Sequence, residues 1–302
     1  MTKIFTIIVT YNGAAWIETC MKQLLQSTVS TEIIVIDNCS TDDTISILKK
    51  FEGKFLLITS DKNLGFGAGN NIGIQHAIKN NASFIFLLNQ DAYVEKDCIE
   101  KSVEALQANP EYGIISPLQL NPTGRELDTS FKKYLSRSVG ENTLPSLLEN
   151  RPDKIFPVRF VNAASWMMPV EAVKKTGLFH PAFYHYGEDN HYCSRMQYHK
   201  YKTGIYCGAA LIHDREYADP GKTKQLLRQL KTIPLYTLLD IRKNFLLARF
   251  LGYRKLVRLY KKLTPFLNDE IRKTYNEQLL WFKKNIDLAK KIRKQTKQDA
   301  GL

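Results

Sequence analysis

Residues 84–94, FIFLLNQDAYV, constrain the chain more than any other stretch. The apolar run Phe84-Ile85-Phe86-Leu87-Leu88 stops abruptly at Asn89-Gln90-Asp91. A short unbroken apolar run closed by polar residues is the pattern of a strand buried on both faces, as in a sheet covered by helices. Asp91 then sits just past the carboxyl end of a central strand, where open α/β sheets bind ligands. A carboxylate there can hold a divalent cation against a diphosphate, because oxygen donors suit magnesium and manganese. It can equally cap the turn into a helix starting near Glu95.

The preceding residues repeat the pattern. Residues 4–10 (IFTIIVT) end at Tyr11-Asn12-Gly13, residues 32–37 (EIIVID) end on a carboxylate, and residues 55–59 supply a third strand. Between them, Trp16, Ile17, Met21, Leu24 and Leu25 recur at helical spacing, and residues 44–51 and 65–80 read as further helices. Strands alternating with helices give βαβ units and a mostly parallel sheet. Parallel strands point their carboxyl ends the same way, so Thr10-Tyr11-Asn12, Asp37-Asn38 and Asn89-Gln90-Asp91 should converge on one crevice. Asp37 could accept from a base N–H or cap the next helix. Gly65, Gly67, Gly69 and Gly73 would let backbone approach a ligand, or make a tight turn on the sheet. Their spacing is not the dinucleotide fingerprint.

Further along, residues 98–108 form an amphipathic helix and residues 112–118 a strand. Residues 121–157 are polar and lack sustained periodicity, so we expect a long irregular connection there, touching an acceptor or lying on the surface. Residues 158–170 return to strand character around Trp166, and residues 204–213 form a strand ending at a lone His213. In between, Phe183, Tyr184, His185 and Tyr186 crowd Glu188 and Asp189. Aromatics around two carboxylates suit a site that excludes water and takes a proton, since desolvation raises a carboxyl pKa. The same pair could simply serve the first turn of a helix over residues 190–198.

Charge divides the chain. Residues 222–302 hold 21 Lys+Arg against 6 Asp+Glu, a net of +15, whereas residues 1–221 carry −2. The divide predicts two regions, 1–221 and 222–302, with an anionic partner for the second. That second region is helical from residue 226 onward, with a break at Pro234, and its stretches 255–266 and 271–293 are basic and amphipathic, fit for an anionic membrane or a solvated cap. Five scattered cysteines without a CxxC pair fit a reducing cytosol, and no apolar run is long enough for a signal sequence or a membrane span. Localisation is therefore expected to be cytoplasmic, with contact at the inner face of the membrane.

The ordered set IIVTYNG, VIDNCSTDDT, NLGFGAGNNIG, LLNQDAYV and FYHYGEDNHYCSR, across residues 3–215, resembles the family 2 glycosyltransferases, and among them the rhamnosyltransferase-like branch. The resemblance implies a GT-A fold, a nucleotide-diphosphosugar donor such as dTDP-rhamnose or a UDP-hexose, Mg2+ or Mn2+, and inversion at the anomeric carbon. It places Thr10, Tyr11, Asn12 and Asp37 on base and ribose, and Asn63, Gly65, Gly67 and Asn70 around ribose and sugar. Asn89-Gln90-Asp91 stands where the family has its metal-binding DxD; with Asn first, Asp91 is the charged ligand, and His213 matches a family histidine that would join it. Glu188-Asp189 matches the ED motif, with Asp189 the base. Trp166, Tyr186 and Glu188 would face the acceptor, a glycan or a lipid-linked saccharide; Trp166 could equally be a core residue. Tyr236, Arg242 and Asn244 look like the family's aromatic–Arg–Asn segment.

Two other classes fit less well. A nucleotidyltransferase would carry Arg or Lys in a glycine-rich loop after the first strand, where Tyr11-Asn12-Gly13-Ala14-Ala15 has none. A nucleic-acid binder would interleave basic and aromatic residues, but the cationic surplus here is confined to the tail. A sugar-binding module without catalysis would not need Asp91, Asp189 and His213 together.

Overall fold

The computed structural model describes residues 2–214 and 221–298. The first half is the expected alternation: β1 (Ile4–Thr10), α1 (Ile17–Leu24), β2 (Glu32–Asp37), α2 (Thr44–Leu48), β3 (Leu56–Thr59), α3 (Phe66–Lys79) and β4 (Phe84–Asn89). β1 pairs in parallel with β2 and β4, and β2 with β3. Successive residues of β1 face opposite layers: Ile7 packs with Ile74 and Leu87, Ile8 with Met21 and Phe86. Burial on both faces is why these strands are unbroken apolar runs. The register aligns Thr10 with Asp37 and Val9 with Asn89, so the three polar turns do share one edge.

Beyond β4 come β5 (Ala92–Val94), α4 (Cys98–Ala108), β6 (Tyr112–Leu120), α5 (Thr129–Val139), α6 (Leu144–Asn150), β7 (Ile155–Pro157), β8 (Ser165–Pro169), α7 (Val170–Thr176), α8 (Glu188–Tyr198) and β9 (Lys202–His213). The sheet order is β3-β2-β1-β4-β8-β6-β9-β5, with β7 on β9. β8 runs antiparallel to β4, and β5 antiparallel to β9.

Two expectations are corrected here. The irregular connection over residues 121–157 contains α5 and α6, which bury Phe131, Leu135, Leu144 and Leu147 in the main core. Asp128 caps α5 by accepting from Ser130 N and Phe131 N at 2.9 and 2.8 Å. The strand over residues 158–170 is shorter, beginning at Ser165.

The tail is α9 (Gly221–Leu238), α10 (Phe245–Leu263), α11 (Asp269–Lys284) and α12 (Ile286–Lys297). α9 continues through Pro234. The break falls instead at residues 239–244, and Asn244 caps α10 by accepting from Leu247 N at 2.8 Å. Gly252 of α10 lies so close to α9 that a Cβ there would sit 3.0 Å from the Pro234 carbonyl oxygen. The helices share their own core around Leu230, Leu256, Ile271, Phe282 and Ile292, into which Phe183 also packs. The boundary expected at residues 221 and 222 lies in the first turn of α9, beside residues 215–220, which are outside the described residues.

Candidate active site

At the carboxyl edge of the sheet, Gln90 brackets the β1 turn. Its Oε1 accepts from Thr10 Oγ1 at 2.6 Å and Tyr11 N at 2.9 Å, while its Nε2 donates to Tyr11 O at 3.3 Å. Its amide therefore holds the turn, at a position that also lines the cleft. Asn12, at φ 47°, ties this turn to the next: its Oδ1 accepts from Thr41 N at 2.8 Å. Asp37 is 4% exposed; its Oδ2 accepts from Ser40 N at 3.1 Å, and its Oδ1 has no hydrogen-bond partner. Asn38 reaches across to Asn63 Oδ1 at 3.0 Å and accepts from Leu64 N at 2.8 Å.

Gly65 has φ +83°, and a Cβ on it would lie 2.1 Å from the Tyr184 carbonyl oxygen, so only glycine fits. Tyr184 in turn donates to Asn63 O at 3.1 Å. The result is a cleft of about 360 Å³ lined among others by Tyr11, Asn38, Asn63, Gly65, Asn89, Gln90, Asp91, Tyr184 and His185. Asn38 belongs to the Asp37-Asn38 turn expected at this crevice; sequence reasoning missed Tyr184 and His185 as wall residues, although both stand in the aromatic run it had singled out. Two residues expected around ribose and sugar have partners within the fold. Asn70 is buried and its Nδ2 donates to Phe66 O at 3.0 Å within its own helix. Gly67 makes room for Phe179, whose Cβ would lie 3.0 Å from a Cβ there.

Asp91 and His213, 122 positions apart, are neighbours because β5 pairs with the end of β9, Ala92 opposite His213. His213 Nε2 lies 3.5 Å from Asp91 Oδ1, and Asp214 N donates to Asp91 O at 2.7 Å. His213 is 2% exposed, and its Nδ1 has no hydrogen-bond partner. Among the described residues no group of three or more His, Cys, Asp or Glu gathers as a metal site. A carboxylate oxygen plus an imidazole nitrogen nonetheless fits Mg2+ or Mn2+ in the way nucleotide-dependent sites hold them: one or two protein donors, with phosphate oxygens and water completing the shell.

Glu188 and Asp189 open α8 behind Gly187, which has φ +93°. The segment leading there is braced by buried Arg195, which donates to Leu178 O at 2.7 Å and to Thr176 O. Glu188 is 6% exposed, beside Gly67, and its Oε2 has no partner. Burial, then the neighbouring Asp189 charge, push its pKa up to about 8. Asp189 is raised to about 6 by burial, against the opposing effect of its bonds from Asn190 N (2.7 Å) and Nδ2 (3.1 Å). Consecutive helix positions point about 100° apart. Glu188 thus turns toward α3, while the Asp189 charge is felt by Tyr236 of α9. On that side lies a second cavity of about 340 Å³, lined among others by Asn190, Gln197, Tyr236, Arg242 and Lys255.

Tyr186 is 40% exposed with Arg228 stacked over its ring at 4.1 Å. Trp166 is 0% exposed, stacked 6.0 Å from Phe179 and tilted against Tyr192. Both faces are covered by protein, so it has none left for a sugar; the core reading holds.

The sheet order, the cleft at its carboxyl edge and the helices that cover it define a GT-A glycosyltransferase fold. The crystal structure of S. aureus TarS residues 1–349 with UDP-GlcNAc matches it with TM-score 0.61 over 99% of this chain and 90% of that one, at 13% identity. Mannosyltransferase PcManGT from Pyrobaculum calidifontis, in complex with GDP-Man and Mn2+, matches with TM-score 0.59 over 97% and 84%, at 15% identity. In sequence, the model of Glycosyl transferase family 2 matches residues 6–177, and the chain belongs to that family. The low-salt glycan biosynthesis hexosyltransferase Agl10 of Haloferax volcanii is 26% identical over 187 residues, 61% of this chain and 59% of that protein. The chain thus matches about three fifths of that relative's length.

Proposed function

We propose that the chain is an inverting glycosyltransferase that moves a sugar from a nucleotide-diphosphosugar to a hydroxyl of a glycan or lipid-linked saccharide. The observations that support this reading are the family match and the meeting of Asp91 and His213, 3.5 Å apart, at the carboxyl edge of the sheet. At the start of α8, burial raises both adjacent carboxyls, Glu188 further, to about 8, and Asp189 to about 6. A pair pushed apart in this way marks base and bystander.

Tyr11, 45% exposed at the mouth of the cleft, offers its ring to the base, and Asp37 Oδ1 is an acceptor waiting for a base N–H. Asp91 and His213 would hold the divalent cation, with Asn89 beside them; when bound, that ion supplies charge neutralisation to the diphosphate. Asp189 takes the acceptor hydroxyl proton as the oxygen bonds to the anomeric carbon from the face opposite the leaving group. The bond from that carbon to the diphosphate oxygen breaks, and its electron pair leaves with the nucleoside diphosphate. One displacement inverts configuration and needs no covalent sugar–enzyme intermediate. The acceptor would lie in the cavity on the Asn190 side of α8. Cytoplasmic placement stays part of this proposal; among the described residues no helix is long and apolar enough to cross a membrane.

The test is a donor panel, dTDP-rhamnose and UDP-hexoses first, followed by saturation-transfer NMR for binding and mass spectrometry for products. The expected result is one donor bound, with release of nucleoside diphosphate that Asp189→Asn suppresses without loss of binding. Conversion of the donor by added pyrophosphate to nucleoside triphosphate and sugar 1-phosphate, with no nucleoside diphosphate released, would instead move the chain to the nucleotidyltransferases.

A further inference from the structure

Among the described residues, eight of the thirteen exposed large apolar side chains belong to the four tail helices and their connections. Helix α10 carries the densest group. Leu246, Phe250 and Tyr253, spaced i, i+4 and i+7, are 75%, 56% and 46% exposed and share one face, with Leu247 beside them at 44%. The opposite face, Ala248, Gly252, Leu256, Leu259 and Leu263, is buried in the helical core. The exposed stripe is therefore not needed to hold α10 in place.

Its surroundings are cationic. α10 has six Lys+Arg and no carboxylate in 19 residues. Arg254 lies 5.5 Å over the Phe250 ring, and Leu246, Arg249, Phe250, Tyr253, Phe282 and Lys283 line a groove of about 440 Å³. A solvated helix has no use for an apolar ridge edged by guanidinium groups. An interfacial helix does, since the ridge enters the acyl boundary while the cations meet headgroups.

We infer that this face of α10 docks the protein on an anionic lipid surface. A second copy of the chain is disfavoured as occupant: a symmetric contact would bring two regions of net +15 together. The inference also relocates the membrane contact. The amphipathic stretches 255–266 and 271–293 bury Leu256, Leu259, Ile271, Phe282 and Ile292 within the helical core and leave Phe266, Leu280 and Leu288 exposed at separate positions rather than as one ridge. The unpartnered ridge lies before Lys255. It concerns residence at a membrane, not transfer, and stands or falls apart from the catalytic proposal.

The experiment is co-sedimentation of the full chain with phosphatidylcholine vesicles, with and without phosphatidylglycerol. Binding is expected to the anionic vesicles only, and to weaken with salt. Leu246→Ser with Phe250→Ser should lower the partition coefficient about tenfold or more, and Arg249→Gln with Arg254→Gln about thirtyfold. All four side chains are exposed, so folding should be unaffected; Leu56→Ser, an exposed apolar site on β3, should leave binding unchanged. Equal binding to both vesicle types, or unchanged binding in both variants, overturns the inference. So does a concentration-dependent dimer in velocity sedimentation that Phe250→Ser dissolves.

Discussion

Glu188→Gln tests the carboxylate pair without any knowledge of the substrate. In the fold the Glu188 carboxyl releases its proton near pH 8, against an ordinary value of 4.5. The folded chain therefore binds this proton more tightly than the unfolded chain. Its contribution to stability is complete below pH 4.5, declines as pH rises, and is gone above about 8. Each pH unit within that span costs about 1.4 kcal/mol, so the whole span amounts to about 5 kcal/mol. That is a large share of the 5–15 kcal/mol by which a domain is typically stable. Glutamine has nearly the same shape and no proton to lose, so the variant should lack this slope. Guanidinium unfolding between pH 6.5 and 8.5 isolates the effect, because Asp189 titrates below that window, near 6. Wild type should lose about 2 kcal/mol more than the variant between pH 6.5 and 8. Parallel curves would mean that Glu188 is already ionised at neutral pH, and the argument for Asp189 as base would fail with it.

Three further outcomes are expected. Asp189→Asn should lower turnover by about 10²–10⁴ while donor binding persists, and the wild-type rate should rise with pH through an apparent pKa of about 6; a silent Asp189→Asn beside a crippling Glu188→Gln would reverse the assignment. Asp91→Ala should abolish transfer, as should chelator, with Mg2+ or Mn2+ restoring wild type; full activity in chelator would remove the metal from the mechanism. Trp166→Ala should cost about 3–5 kcal/mol of stability, as large-to-small core changes do, and a stable variant with weakened acceptor affinity would put the indole back in the acceptor site.

The first half of the sheet was legible because burial on both faces forces its strands to be unbroken apolar runs, and parallel pairing forces their polar ends to one edge. Helices α5 and α6 were not. Their apolar residues are split by Gly140, at φ +85°, and each helix is too short to establish a period in polar surroundings. Nor can spacing announce that His213 meets Asp91, since an antiparallel edge pairing joins them across the whole intervening fold; only the motif order suggested it. Gln90 and Asn70 illustrate a different limit. Both are polar residues in ligand-facing motifs, and both spend their amides on the backbone that shapes the cleft. Sequence marks where polarity is needed but not which partner takes it.

The cleft's own charge gives the strongest reason to look for a cation. Among the described residues that line it there is no lysine or arginine, while Asp91 already contributes a carboxylate. On the proposed reading the diphosphate needs a cation between itself and Asp91, since two like unit charges about 5 Å apart at an effective dielectric constant near 20 cost about 3 kcal/mol. Cations of the basic tail line the second cavity, where Arg242 and Lys255 stand, and the groove of α10, while Arg228 lies over Tyr186, next to the cleft residue His185. In that proposal a divalent ion shares the site with the diphosphate, held by Asp91 and His213, whose side chains lie 3.5 Å apart. On the proposed reading, the substitution of asparagine for aspartate at position 89 removes a second negative charge from this wall, easing the approach of the diphosphate while leaving the ion to Asp91 and His213.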